Sequence, residues 1–87
     1  MEERVAADFA QTRADLEELV RIPGCAFPGF LDEEIDRACQ KVIDIYRSAV
    51  FPRVERLDIE GGKPAVVAEA PGPHGSPTVL LYAHYDV

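Results

Sequence analysis

Two residues near the end of this chain, His84 and Asp86, have the types and the spacing for metal chemistry. A neutral imidazole is a natural zinc ligand through one ring nitrogen. A nearby carboxylate accepts a hydrogen bond from the other ring nitrogen, which sets the tautomer and the ring orientation. H-x-D is the shortest spacing at which one stretch of chain supplies both. Spacing alone is a weak signal, because such pairs occur by chance and a lone histidine is more often a surface or packing residue. The other candidate ligands are Cys25, Cys39 and His74. Their separations are long, and the close C-x-x-C and H-x-x-x-H pairs of structural zinc sites are missing, so a self-contained zinc site is not expected. His74 sits in a Pro/Gly stretch and is expected in solvent. Cys39 reads as a small core hydrophobe. Cys25 has no identifiable base nearby and reads as packed or exposed. Glu17 with Glu18, and Glu33 with Glu34, fall opposite or beside helical apolar stripes and read as solvated surface.

The element that delivers His84 is the more informative feature. Thr78 to Ala83 reads as a strand, and Val79, Leu80, Leu81, Tyr82 and Ala83 do not alternate with polar residues. A strand apolar on both faces is usually central and covered on both sides. In α/β sheets, ligand sites gather beyond the carboxyl ends of such strands, where His84 and Asp86 stand. Tyr82 and Tyr85 flank the histidine; one is expected to pack, and either could line a substrate cleft.

Upstream, Val5, Phe9, Thr12, Leu16 and Leu19 recur at helical steps, with Val20 widening the stripe. Pro23 ends that helix, because the residue before a proline is pushed out of the α region. "PGCAFPGF" at Pro23 to Phe30 is a loop, apolar enough to be expected to pack. A second helix starts near Asp32, with Asp32, Glu33 and Glu34 complementing its N-terminal dipole. Its stripe is Ile35, Ala38, Val42, Ile45 and Ala49, with Cys39 and Tyr46 alongside, and Pro52 bounds it. Leu57 and Ile59 alternate with Arg56, Asp58 and Glu60, which reads as a half-exposed strand. Gly61 and Gly62 mark a turn, Ala65 to Ala70 a second strand, and "PGPHGSP" at Pro71 to Pro77 a loop.

The chain has 87 residues, 47% hydrophobic, with a formal net charge of -7 and a pI near 4.6. This composition suits one small folded unit with a thin core. A chain this acidic repels phosphate backbones and anionic lipid, so neither nucleic acid nor a membrane surface is an expected partner. The N-terminus "MEERVAADF" has no basic region followed by an apolar one, and no apolar run is long enough to span a bilayer. A cytoplasmic location and reduced thiols at Cys25 and Cys39 are therefore expected.

"PTVLLYAHYDV" at Pro77 to Val87 closely resembles the first metal-site motif of the M20 family of zinc metallopeptidases, which includes dipeptidases, carboxypeptidases, aminoacylases and deacylases. "LEELVRIP" at Leu16 to Pro23 resembles that family's first helix and its exit. "GGKPAVVAEAPGPHGSPTVLLYAHYDV" at Gly61 to Val87 resembles its glycine turn, second strand, loop and metal strand in order. "CAFPGF" at Cys25 to Phe30 is similar to a loop of the dipeptidase-like branch. The last stretch is specific, while the helices are generic. The resemblance implies that His84 is a ligand to one of two zinc ions and that Asp86 is the carboxylate orienting it. It implies hydrolysis of an amide bond in a dipeptide or short peptide, with a water bridging the two zincs as nucleophile and a glutamate as general base. Deacylation of N-acyl amino acids is the alternative activity. A non-catalytic relic or interaction module of the same fold is the alternative role. Where the family often has serine after "IP", this chain has Gly24 and then Cys25. The bridging aspartate, the glutamate base, the remaining ligands and a dimerisation domain would lie beyond Val87. The expectation is thus an α/β fold in which two N-terminal helices pack on a three-stranded sheet. Residues 1–87 would form the start of a zinc-peptidase catalytic domain, inactive alone, with a homodimer possible for the full-length protein.

Overall fold

The computed structural model describes residues 2–87. Helix α1 runs Glu2–Arg21, helix α2 Asp32–Ser48, strand β1 Arg53–Leu57 and strand β2 Ala65–Glu69. The result is an α/β arrangement of two helices and a two-stranded antiparallel sheet.

Helix α2 is the centre of the molecule. Its Ile35, Ala38, Cys39 and Ile43 are the buried apolar residues, placed at helical steps on one face. The core therefore turns through Cys39 and Ile43 rather than along the expected line to Val42, Ile45 and Ala49. Val42 and Ile45 are half-buried, and Ala49 is exposed. The first turn carries Asp32, Glu33 and Glu34, which suit the positive end of the helix dipole. Val50, just past the helix, has φ 62°, a left-handed conformation usually left to glycine. Tyr46 and Phe51 stack edge to face across this exit, with centroids 5.2 Å apart.

The hairpin pairs Arg53 with Glu69, Val54 with Ala68, Glu55 with Val67, Arg56 with Val66 and Leu57 with Ala65. Gly61, at φ 75°, permits the turn that the Gly62 N–H closes onto the Ile59 carbonyl at 2.9 Å. Val54, Val66 and Ala68 share the half-buried face. Arg56, also on that face, reaches Asp36 of α2 at 2.7 Å. Leu57 and Val67 lie on the opposite face and are exposed.

The structure differs from the expected architecture in two ways. Residues 78–83 form no strand, so the sheet has two strands rather than three. Leu80 is 90% exposed and Leu81 88%. A segment apolar on both faces is stabilised as a strand only where cover exists on both, and this hairpin has α2 on one face alone. The second difference is that α2 packs on both strands, whereas α1 packs on α2 alone. Two strands about 4.8 Å apart make a sheet only about one helix diameter wide, so a second helix has no sheet to lie on. Val5, Phe9, Leu16 and Val20 of α1 consequently remain exposed. An ion pair from Lys41 of α2 to Glu18 of α1 links the two helices and raises the Lys41 pKa above its ordinary value.

The accessible surface is 7352 Å². A compact monomer of 9.6 kDa exposes about 5,100 Å². The radius of gyration is 14.8 Å, against about 12 Å for a compact chain of this length. No helix among the described residues is long and apolar enough to cross a membrane.

Candidate functional site

Residues 82–87 alternate between two sides. On the outer side, His84 lies against both Tyr82 and Asp86. The Tyr82 hydroxyl lies 3.1 Å from His84 Nε2, and the two rings stack edge to face at 5.3 Å. His84 Nδ1 is 3.4 Å from Asp86 Oδ1. The tautomer with the proton on Nδ1 suits both neighbours, since it places an N–H beside the Asp86 carboxylate and a lone pair at Nε2 toward the Tyr82 hydroxyl. The His84 side chain is 74% exposed and that of Asp86 39%.

The inner side is the anchor. The Tyr85 hydroxyl donates to the Pro64 carbonyl at the mouth of β2. The Val87 N–H donates to the Gly24 carbonyl at 3.1 Å, in the loop between the helices. These two hydrogen bonds tie residues 82–87 to the rest of the fold, and the Cys39 thiol lies beside the Tyr85 hydroxyl. Burial raises the Tyr85 pKa to about 12. The neighbouring Cys39 thiol adds to that shift and Arg56 opposes it. Of the two tyrosines flanking the histidine, Tyr85 is therefore the one that packs, and Tyr82 is exposed.

Gly24 is itself buried. A Cβ there would stand 3.0 Å from the Ala38 Cβ and 3.3 Å from the Glu34 carbonyl oxygen. Gly24 thus sits where α2 leaves no room for a side chain, and its carbonyl holds the end of residues 82–87.

Zinc requires about three protein ligands at a catalytic site. Among the described residues, no group of three or more His, Cys, Asp or Glu side chains is placed to hold a metal ion. His84 fits a single coordination bond; the set as a whole does not fit a metal centre. His74 is exposed in its Pro/Gly loop. Cys25 and Cys39 are free thiols, Cys39 fully buried on α2. Two depressions, of about 440 and 210 Å³, lie beside α2, and neither is lined by His84 or Asp86.

The sequence pointed to His84 and Asp86 by type and spacing, but not to the groups that hold this segment. Pro64 and Gly24 act through their carbonyls, which leave no trace in side-chain patterns. The alternation from His84 was the available signal for Tyr85, since it sends that side chain to the side opposite the polar pair. No family model, curated protein or solved structure matches the chain.

Proposed function

We propose that this chain is the N-terminal part of a dinuclear zinc hydrolase that cleaves amide bonds of dipeptides or short peptides in the cytoplasm. His84 contributes one zinc ligand, and Asp86 orients it. The observation that carries this reading is the contact of Asp86 Oδ1 with His84 Nδ1 at 3.4 Å. A carboxylate beside Nδ1 favours the tautomer with its lone pair at Nε2, which a metal would take in place of the Tyr82 hydroxyl that now lies 3.1 Å from it. The resemblance of Pro77 to Val87 to the M20 metal motif supplies the reaction class. The remaining ligands and the general base come from chain outside these residues. Alone, the 87 residues are inactive, because one histidine does not make a metal centre.

A second reading is a non-catalytic interaction module. The exposed Val79, Leu80, Leu81 and Tyr82 favour it, since an apolar run in solvent marks a surface that another segment covers.

The test is hydrolysis by the protein isolated from its native cell, with dipeptides and N-acyl amino acids as alternative substrates. The proposal expects dipeptide cleavage that a chelator abolishes, zinc restores and His84→Ala lowers by at least about 100-fold. Preference for N-acyl amino acids would assign a deacylase instead. Activity indifferent to both chelator and His84→Ala would overturn the metal reading. Zinc-dependent hydrolysis by the isolated 87 residues, above a His84→Ala control, would refute their inactivity.

A further inference from the structure

We propose that Tyr85 is the positioning residue of this site: its hydroxyl bond to the Pro64 carbonyl holds residues 82–87 so that His84 and Asp86 share the outer side. The inference rests on the reading of His84 as a ligand, but its geometry stands without a metal.

The segment carrying His84 has no ladder hydrogen bonds to orient it. Residues 78–83 are exposed throughout, so packing does not orient it from the N-terminal side. The orientation comes from the inner side. Tyr85 stands between His84 and Asp86 and is the half-buried residue of the final stretch. Its hydroxyl reaches Pro64, 21 residues away in sequence, at the start of β2. The Val87 N–H adds the second tether, to Gly24. The Tyr85 side chain defines which way the stretch faces, and the Val87 N–H fixes where it ends. With the Tyr85 side chain held inward, its neighbours His84 and Asp86 are turned outward together, with His84 Nδ1 3.4 Å from Asp86 Oδ1. Tyr85 touches neither a substrate nor a reacting atom; it acts through His84.

This arrangement has a spectroscopic signature that a merely structural tyrosine would lack. A histidine beside an oriented carboxylate populates one neutral tautomer, whereas an untethered imidazole populates both. Long-range imidazole ¹H–¹⁵N spectra of the 87-residue chain, taken at about pH 8.5 where an ordinary imidazole is neutral, separate the two cases. Methyl shifts of Ile35 and Ile43 in the same samples report whether the core is intact. The expected result is a single Nδ1–H tautomer for His84 in the wild type. In Tyr85→Phe it becomes a mixture of the two, with the core methyl shifts unchanged. Asp86→Asn is the positive control and should also give a mixture. Three results would overturn the proposal: a wild type that is already a mixture, a Tyr85→Phe variant with the wild-type tautomer, or a Tyr85→Phe variant whose core methyls collapse to unfolded positions. The last would make Tyr85 a stability residue. Failure of the native protein to bind zinc would defeat the proposed function and leave this readout standing, so the two fail separately.

Discussion

At the scale of single residues, the chemistry-bearing groups are held by neighbours that carry no chemistry. Gly24 is the clearest case. Its missing Cβ lets the loop lie against Ala38, and its carbonyl receives the Val87 N–H. Gly24→Ala should destabilise the chain by about 1–3 kcal/mol through overpacking against α2, read as a lower midpoint in urea at unchanged slope. Tyr85 gives a pH signature. Its folded-state pKa is raised from 10.0 to about 12, first by burial. The unfolded chain therefore releases this proton at lower pH than the folded one. The associated stability is fully present below pH 10 and is lost as pH rises from 10 to about 12. Denaturant midpoints across that window should fall more steeply for the wild type than for Tyr85→Phe. Equal slopes would show that burial does not hold this phenol neutral.

At the scale of elements, α2 organises the fold, and its N-terminus lacks a side-chain cap. Leu31 occupies the N-cap position, and no side chain caps the helix there. A serine side chain at that position accepts a hydrogen bond from the helix's free N–H groups. Leu31→Ser should therefore stabilise the chain by about 1 kcal/mol, seen as a raised melting temperature and greater helicity. No change would mean that Leu31 contributes packing equal to the missing cap. The helices were legible in the sequence because each carries an apolar stripe bounded by a proline, and Pro23 and Pro52 do bracket them. The hairpin was legible from the glycine turn, although β1 lies earlier than the alternation of Leu57 and Ile59 suggested. The expected third strand was not realised. An apolar run records what a segment gains if covered; it does not record whether cover is present. The same limit applies to α1, whose stripe is real and whose seat on the sheet is absent. At the site, His84 and Asp86 were legible as types and spacing. Their anchoring through Pro64 and Gly24 was not, because backbone carbonyls are common to every residue.

At the scale of the whole molecule, surface is the dominant fact. The chain exposes 7352 Å², about 2,300 Å² more than a compact monomer of its mass. Much of the apolar excess lies in two places, the outer stripe of α1 and residues 79–82. Such surface favours association or a marginal fold. The melting temperature of the isolated 87 residues should therefore depend on protein concentration, with larger species visible by sedimentation. A sharp, concentration-independent two-state melt of a monomer would count against this. Both functional readings give this surface a cover: in the first, chain that also brings zinc ligands; in the second, a partner that brings only contacts.

The central claim is that His84 is one ligand of a zinc centre completed by other chain. The most direct measurement is the zinc content per chain of the protein isolated from its native cell, for the wild type and for His84→Ala. The account predicts two zinc ions per chain in the wild type and loss of at least one in the variant, with Asp86→Asn binding more weakly by about 10- to 100-fold. A wild-type protein free of zinc, or a His84→Ala variant with the wild-type zinc content, would contradict it.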